Sequence, residues 1–217
     1  MPALSLGCRC HTCTMVQRSE WCVIIPMREV ASAKTRLHDM GALRQSLAES
    51  FLLDVLDALD HTTSVSTVLI AGPSAPAPAG QTTVAEWLDT GMAGLNEAIA
   101  AAESVARARG HVRIAAVVAD LPCARADDLD AVLVAACRHP RAFVMDHSET
   151  GTTMLMTTGS ALAPEFGEDS AARHRRSGAV ALEAAIRVRL DVDTPTDVAL
   201  AMVYGVGRST ANVLATQ

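Results

Sequence analysis

The stretch WCVIIP, residues Trp21 to Pro26, decides the class of fold. It is a continuous apolar run that stops at a proline, a pattern typical of a strand buried on both faces of a sheet. A loop of small residues follows, and Lys34 and Arg36 then stand just before a helix-like segment. Because cations are disfavoured at a helix N-terminus, the pair predicts a binding site for an anion near the end of this strand. A solvated helix start is the alternative interpretation.

Strands and helices alternate along the rest of the chain. Strands are predicted at 65–72, 82–87, 113–122, 141–146, 152–158 and 187–195, and helices at 41–60, 94–110, 126–138 and 194–205. This alternation predicts an α/β fold, with a mainly parallel sheet flanked by helices. In such folds ligands bind at the carboxyl ends of the strands, so polar residues at those ends are the candidates for a functional site.

Length and composition limit the class of protein. The 217 residues, half of them hydrophobic and only 3% aromatic, suffice for one domain, which we assign to residues 21–217. The net charge of -6 and the lack of a long basic run argue against nucleic acid as the main partner. No apolar run has the length of a membrane span, and the first residues lack the apolar centre of a signal peptide. We therefore expect a cytoplasmic protein with no membrane partner.

Residues 1–20 carry half of the cysteines. Cys8, Cys10 and Cys13 surround His11, and these residue types suit zinc, but their spacing matches no established zinc motif. We expect a disordered tail, as chain ends usually are, and assign it no function. The other cysteines lie in apolar segments and are predicted to be small core residues: Cys22, Cys123 and Cys137.

Three aspartates at the ends of predicted strands are candidate metal ligands. Asp120 ends an apolar strand, where a carboxylate either binds a cation or caps the next turn. Asp191 and Asp193 end another strand, and their spacing points both side chains to one side, where they repel each other unless a cation lies between them. Oxygen ligands from two strand ends suit Mg²⁺ that is shared with substrate phosphates. We predict Asp120 and Asp191 as Mg²⁺ ligands with Asp193 as a helper. Asp197 is expected only to cap the next helix.

A second anion site is predicted in EFGEDSAARHRRSG, residues 165–178. Ser170 is expected to cap a helix, and a cationic cluster follows at 173–176 with His174 in it. A solvated charged face and a site for a small phosphorylated or carboxylated substrate explain this cluster equally well. The segment TGTTML, residues 150–155, is expected to add hydroxyl and backbone donors. The remaining histidines are expected to be isolated surface residues, among them His38, His61, His111 and His139.

The combination of these sites indicates a reaction. The sequence has no P-loop, no Gly-rich dinucleotide fingerprint and no nucleophile elbow. A Mg²⁺ site with two anion pockets and no protein nucleophile suits the direct transfer of a nucleotidyl group. The phosphate of one substrate would attack the α-phosphorus of a nucleoside triphosphate, and pyrophosphate would leave. No general base is required, because a phosphate nucleophile is already ionised.

Six segments, read together, have a family resemblance. They are AKTRL, GLNEAI, DLP, TGTTML, FGEDSAARHRRSGAV and LDVDTPTDV, in this order along the chain. Together they resemble the 2-phospholactate/phosphoenolpyruvate guanylyltransferase family, and most of all its actinobacterial branch, which uses phosphoenolpyruvate. The segment from Phe166 to Val180 is the most specific, whereas related nucleotidyltransferases share DLP and AKTRL. Ala119 stands where the family usually has glycine.

The resemblance implies a fold and a reaction. The fold is the Rossmann-like nucleotide-diphospho-sugar transferase fold of the glycosyltransferase-A type. The reaction joins GTP and phosphoenolpyruvate into a guanylylated enolpyruvyl product and pyrophosphate, an early step toward a deazaflavin redox coenzyme. A homodimer is compatible with such a fold.

The resemblance also implies roles for single residues. The metal ligands of the family match Asp120 and Asp191, and its triphosphate-binding loop matches Lys34 and Arg36, so these four are the predicted catalytic residues. The family's contacts to phosphoenolpyruvate match Thr152, Gly167 and Ser170, beside which we place His174. The segment that lines the nucleotide matches Gly94 to Asn96, with Gly94 and Asn96 as the candidate contacts.

Other functions stay open at this point. Within the same chemistry, 2-phospho-L-lactate or another phosphorylated small acid could replace phosphoenolpyruvate, since these acids differ by few atoms. The segment FGEDSAARHRRSG argues against a molybdopterin-type acceptor. A non-catalytic nucleotide-binding module is the alternative from another class. The joint presence of the predicted metal ligands and of the two cations argues against it.

Overall fold

The computed structural model describes residues 20–27, 43–73, 85–91 and 94–216. In this part of the chain helices flank a seven-stranded sheet. The strands are β1 (Trp21–Pro26), β2 (Val65–Gly72), β3 (Ala85–Asp89), β4 (Arg113–Val117), β5 (Arg141–Met145), β6 (Thr152–Thr158) and β7 (Val180–Leu182). The helices are α1 (Leu43–Asp60), α2 (Leu95–Ala108), α3 (Ala126–Ala136), α4 (Ser170–Arg176), α5 (Ile186–Arg189), α6 (Pro195–Tyr204) and α7 (Arg208–Ala215).

The strand order across the sheet is β3-β2-β1-β4-β6-β5-β7. β1 pairs in parallel with β2 and β4, β2 with β3, and β5 with β7, whereas β6 runs antiparallel to β4 and β5. The prediction of a mainly parallel sheet flanked by helices is confirmed. Because β6 is reversed, its first residues lie at the edge where the other strands have their carboxyl ends, and this edge carries the candidate site.

β1 is buried on both faces, as its apolar sequence predicts. Val23 and Ile25 pack into one hydrophobic cluster with residues of α1 and α3, while Cys22 and Ile24 pack on the opposite face with residues of α2. This division follows from the two-residue period of a strand. Each fully buried Val or Ile contributes about 1.5–3 kcal/mol relative to an exposed one, so β1 anchors both layers of helices to the sheet.

The cysteines of the described residues carry free thiols, and two of them are core residues as predicted. Cys22 and Cys123 are fully buried, whereas Cys137 is only half-buried. Burial raises the pKa of the Cys22 thiol to about 12 and that of Cys123 to about 11. Both therefore stay protonated and serve as small apolar side chains.

The predicted strand at 187–195 is wrong. Residues Ile186–Arg189 form the short helix α5, and a segment without regular secondary structure follows it. The alternation that suggested a strand is real, because Leu190 and Val192 are buried while Asp191 is more exposed. The segment does not join the sheet, however: it is tied to the end of β4 by a bond from Val192 N–H to the carbonyl oxygen of Asp120, 3.0 Å long. The sequence patterns also missed the short strand β7 and the terminal helix α7.

Helix α6 begins as its sequence predicts. Thr194 is the N-cap, Pro195 is the first helical residue, and a capping box joins Thr194 to Asp197. Among the described helices none is long and apolar enough by itself to cross a membrane. Taken as a pair, α6 and α7 reach that length and composition, with a bend of 120° between them.

Candidate active site

Two of the predicted metal ligands, Asp120 and Asp191, lie next to each other. Asp120 follows the carboxyl end of β4, and Asp191 follows α5. The bond from Val192 N–H to the Asp120 carbonyl oxygen holds the two segments side by side. Val192 is buried and Asp193 is partly exposed like Asp191, so the two acids share a side as their spacing predicted. The structure thus brings the predicted acids together, although α5 rather than a strand delivers Asp191.

The environment of Asp191 disfavours a negative charge. Its burial, and then the nearby carboxylates of Asp120, Asp193 and Asp146, raise the pKa of Asp191 from 3.8 to about 8. Its Oδ1 atom is buried and accepts no hydrogen bond from the described residues. A cation between these carboxylates would remove the repulsion, so the charge pattern fits a site for a divalent metal ion.

The number of ligands limits which metal this site could hold. The described residues contain no group of three or more His, Cys, Asp or Glu side chains with metal-binding geometry. The predicted set of Asp120, Asp191 and Asp193 is therefore not assembled as a three-ligand cage. Mg²⁺ is commonly bound by one or two carboxylates together with substrate phosphates, so the pair Asp120 and Asp191 fits it.

A turn between β5 and β6 supplies a further carboxylate that sequence reasoning missed. Asp146 accepts hydrogen bonds from the backbone N–H groups of Thr150 (3.0 Å) and Gly151 (2.9 Å), and from the Ser148 hydroxyl (2.9 Å). A Cβ on Gly151 would collide with this carboxylate. Asp146 therefore shapes the turn, and its charge also acts on Asp191. Its position directly after an apolar strand was a signal, because Asp120 was selected on the same ground.

His147, in the same turn, is a second residue that the sequence patterns missed. Its Nδ1 lies 3.5 Å from Oδ1 of Asp191, and its Nε2 lies 3.8 Å from Oδ1 of Asp197. The expectation that the histidines outside the cationic segment are isolated is wrong for this one. It follows Asp146 at the carboxyl end of β5, which is the signal that could have found it.

Asn96 holds the segment that carries the second predicted anion site. Its side-chain amide donates to the carbonyl oxygen of Phe166 (3.1 Å) and accepts from Phe166 N–H (2.8 Å). Gly94 is the N-cap of α2, and a Cβ there would collide with the carboxylate of Glu97. Both hydrogen-bonding groups of the Asn96 amide are thus bound to the protein backbone. This geometry favours a role of Asn96 in positioning the loop that contains Phe166, rather than the predicted contact with the nucleotide.

His174 is completely buried and has both ring nitrogens engaged. Nε2 accepts from Glu165 N–H at 2.9 Å, so Nδ1 carries the proton and donates to the Thr152 hydroxyl, also at 2.9 Å. Burial, aided by Arg141 and Arg173, lowers the pKa of His174 from 6.5 to about 4. The neutral ring also packs against two phenylalanines, Phe143 and Phe166. No nitrogen remains for an anion, so the predicted direct contact of His174 with a substrate does not fit, and the ring instead joins Thr152 to the loop before α4.

The predicted cap of α4 is displaced by one residue. Asp169, with φ of 51°, is the N-cap and makes no side-chain capping bond, whereas Ser170 is the first residue of the helix and is buried. Gly167 has φ of 122°, which side chains other than that of glycine rarely allow. The N–H of Ala171 donates to the carbonyl oxygen of Thr150, at 3.0 Å, and so fastens α4 to the turn between β5 and β6. Thr152, Gly167 and Ser170 therefore belong to one locality.

The cationic cluster of α4 is partly used inside the protein. Arg173 donates to the carbonyl oxygen of Glu165 at 3.2 Å, and the guanidinium of Arg175 lies 5.8 Å from the centre of the Phe143 ring. Arg175 and Arg176 are exposed. Arg173 is thus bound within the protein, while Arg175 and Arg176 form a charged face, and a substrate site at this cluster stays a prediction. The other predicted cations, Lys34 and Arg36, lie outside the described residues, as do residues 1–19 of the predicted tail.

Comparison with known proteins gives sequence relatives along almost the whole chain. The family model described as "Guanylyl transferase CofC like" matches residues 21–216. Phosphoenolpyruvate guanylyltransferase from Streptomyces coelicolor is 42% identical over 204 residues, which are 90% of this chain and 96% of that protein. The protein of the same name from Mycobacterium marinum is 41% identical over 203 residues, 89% of this chain and 93% of that protein.

Solved structures support the fold. A protein from Desulfovibrio desulfuricans, described as a nucleotide-diphospho-sugar transferase, has a TM-score of 0.69 at 17% identity and covers 90% of this chain and 94% of its own. The structure of 4-diphosphocytidyl-2C-methyl-D-erythritol synthase has a TM-score of 0.58 at 13% identity and covers 86% and 98%. The predicted nucleotide-diphospho-sugar transferase fold is confirmed.

Proposed function

Since the chain belongs to the guanylyl transferase family described as CofC-like, we propose that it joins GTP and phosphoenolpyruvate into enolpyruvyl-diphospho-guanosine and pyrophosphate. The product would enter the biosynthesis of coenzyme F-420 in the cytoplasm. One observation carries the proposal: Asp120 and Asp191, whose pKa is raised, lie together at the edge of the sheet where β6 begins with Thr152. This edge is where α/β folds bind their ligands.

In the proposed reaction a phosphate oxygen of phosphoenolpyruvate attacks the α-phosphorus of GTP. One P–O bond forms, the bond between the α-phosphorus and the bridging oxygen breaks, and pyrophosphate leaves with that electron pair. The attacking phosphate is ionised at neutral pH, so no side chain has to remove a proton from it. The protein contributes by holding both substrates in line and by balancing their charge.

Mg²⁺ would be held by the carboxylates of Asp120 and Asp191, with Asp193 close enough to add negative charge. When bound, it would supply charge neutralisation for the phosphates. The fit rests on the oxygen ligands of this pair and on the raised pKa of Asp191, because a cation offsets both the burial of the charge and its repulsion by the nearby carboxylates, which together raise this pKa. Lys34 and Arg36 are proposed to hold the triphosphate, on the match of their segment to the family.

The acid substrate would bind at the loop that precedes α4. Gly167 and Ser170 lie in this loop and at its end, and His174 connects it to Thr152 at the start of β6. Since the His174 ring is neutral and buried, the positive charge for the carboxylate or phosphate would come from the exposed arginines of α4. Asn96 fixes the other side of the loop through Phe166.

Pyrophosphate release from the purified protein tests the proposal. GTP and Mg²⁺ are supplied with phosphoenolpyruvate, with 2-phospho-L-lactate or with neither, and ATP replaces GTP in a parallel series. We expect release with GTP and phosphoenolpyruvate only. Release with 2-phospho-L-lactate alone would keep the chemistry and correct the substrate. No release with either acid, from a folded protein that binds GTP, would favour a non-catalytic nucleotide-binding module.

A further inference from the structure

His147 occupies a bridging position between two carboxylates that belong to different parts of the structure. One ring nitrogen, Nδ1, faces Oδ1 of Asp191 at 3.5 Å, and the other, Nε2, faces Oδ1 of Asp197 at 3.8 Å. Less than a third of the side chain is exposed. Both separations are longer than a usual N–H···O hydrogen bond, so the ring lies between the two carboxylates without a close bond to either.

The carboxylate of Asp197 is held in place by hydrogen bonds. Oδ2 of Asp197 accepts from the N–H of Asp193 (3.1 Å), the N–H of Thr194 (2.8 Å) and the Thr194 hydroxyl (2.8 Å). These bonds complete the capping box of α6 and leave Oδ1 directed at His147. A capping box needs no histidine, so the cap alone gives no reason for the ring to lie there.

The carboxylate of Asp191 is not held by such hydrogen bonds. Oδ1 of Asp191 is buried and accepts no hydrogen bond from the described residues, and the Nδ1 atom of His147 faces it at 3.5 Å. The ring itself is carried by the turn that Asp146 braces with bonds to Thr150 and Gly151. A braced turn on one side and a capped helix on the other thus hold the imidazole against Asp191.

We propose that His147 is a positioning residue that sets the orientation of the Asp191 carboxylate toward the site shared with Asp120, and that Asp197 orients the ring in turn. The inference rests on the proposed function, because it assumes that Asp191 is a metal ligand. Groups that contact a metal ligand and fix its orientation raise the affinity for the metal. Their loss typically weakens metal binding or activity by about 10–100-fold. His147 acts on the reaction through Asp191 and touches neither substrate.

The test measures Mn²⁺ binding to the full-length protein in the absence of substrates. The free Mn²⁺ is quantified by electron paramagnetic resonance. Wild type is compared with His147→Ala, His147→Asn and the control His61→Ala. His61 also lies near a carboxylate, at 3.9 Å from Asp57, but it is exposed and belongs to the end of α1. We expect His147→Ala to weaken Mn²⁺ binding by about tenfold or more. The amide of His147→Asn can occupy the place of Nδ1 and should restore most of the affinity, while His61→Ala should bind Mn²⁺ like wild type.

A second readout separates positioning from a purely structural role. In turnover with GTP and phosphoenolpyruvate, the Mg²⁺ concentration for half-maximal rate should rise by about tenfold in His147→Ala, with little change in KM for GTP. Unchanged Mn²⁺ affinity together with a lower melting temperature would overturn the inference and leave His147 a structural residue. If wild type itself bound no Mn²⁺ and turned over without a divalent ion, the metal site of the proposed function would fail, and the inference with it.

Discussion

The backbone N–H of Val192 donates to the carbonyl oxygen of Asp120 at 3.0 Å, and this bond aligns the residue before Val192 with the end of β4. The consequence is electrostatic. Burial of Asp191, and then the carboxylates of Asp120 and Asp193 beside which this bond places it, raise the pKa of Asp191 to about 8. This repulsion destabilises the metal-free protein, and a turn alone does not require it. A bound cation would offset the repulsion, which is why the arrangement fits a metal-binding site.

The first prediction concerns Asp191→Asn. The raised pKa means that the folded state favours a protonated Asp191, so the associated stability is present below about pH 4 and is lost as the pH rises through about 8. The amide keeps the shape without the charge. We therefore expect the metal-free variant to melt at a higher temperature than wild type at neutral pH, while its turnover is abolished because a metal ligand is lost. Thermal denaturation and pyrophosphate release measure the two effects.

Asp120→Asn should likewise abolish turnover and leave the protein folded. Asp57→Asn is the matched control, since Asp57 is an exposed carboxylate at the end of α1, and it should change neither quantity. Wild-type turnover in both Asp120→Asn and Asp191→Asn would contradict the assignment of the metal ligands. An unchanged or lower melting temperature for Asp191→Asn would show that the carboxylate is not under electrostatic strain.

The second prediction decides between two roles of Asn96. If the amide serves to hold Phe166, Asn96→Ala should raise KM for the acid substrate and leave KM for GTP nearly unchanged. Two hydrogen bonds are lost, each worth about 1 kcal/mol net, so the expected loss of kcat/KM is at most about thirtyfold. Asn212→Ala, on the exposed face of α7, is the control. A rise confined to KM for GTP would instead support the contact between Asn96 and the nucleotide that the family resemblance implies.

Much of this architecture could be predicted because the signals are local. The apolar run of β1 and the sequence TPTD before α6 each determine their structure within a few residues, and both predictions hold. The segment around Asp191 misled the prediction since a short amphipathic helix and an alternating strand look alike over four residues. The side on which the acids lie was still correct, because the alternation extends beyond α5.

What the sequence did not give is the set of contacts between distant segments. His147, in the turn after β5, lies beside Asp191 and Asp197, which come 44 and 50 residues later in the chain. Asp54 of α1 accepts from the N–H groups of Ser209 (2.8 Å) and Thr210 (3.0 Å), which are the first turn of the unpredicted helix α7. Neither pairing leaves a periodic pattern, so only the folded chain reveals it.

The third prediction is a pH dependence of stability that originates in His174. Its pKa is depressed from 6.5 to about 4 in the folded protein, so its contribution is present above about pH 6.5 and is lost as the pH falls through about 4. The loss amounts to at most about 3 kcal/mol. His174→Asn should be less stable than wild type at neutral pH, because the ring contacts with Phe143 and Phe166 are removed. The difference should narrow as the pH falls toward 4.

Urea denaturation at a series of pH values measures this difference. His111→Asn, at a partly exposed position after α2, should show no such narrowing. A constant difference between wild type and His174→Asn over the whole range would mean that His174 titrates normally, and that its burial does not keep the ring neutral.

The last prediction separates backbone strain from substrate binding in the loop before α4. Gly167 has φ of 122° and a Cβ there would lie 3.1 Å from Nη2 of Arg173, whereas Gly178 has φ of 90° and open space around the same position. Gly167→Ala and Gly178→Ala should each lose stability of about 1–3 kcal/mol from the backbone conformation alone. Only Gly167→Ala should also raise KM for the acid substrate, because the methyl group pushes against Arg173, which fastens the loop through the carbonyl oxygen of Glu165. Equal kinetics of the two variants, measured by pyrophosphate release, would remove Gly167 from the substrate site and leave it a residue required by the turn.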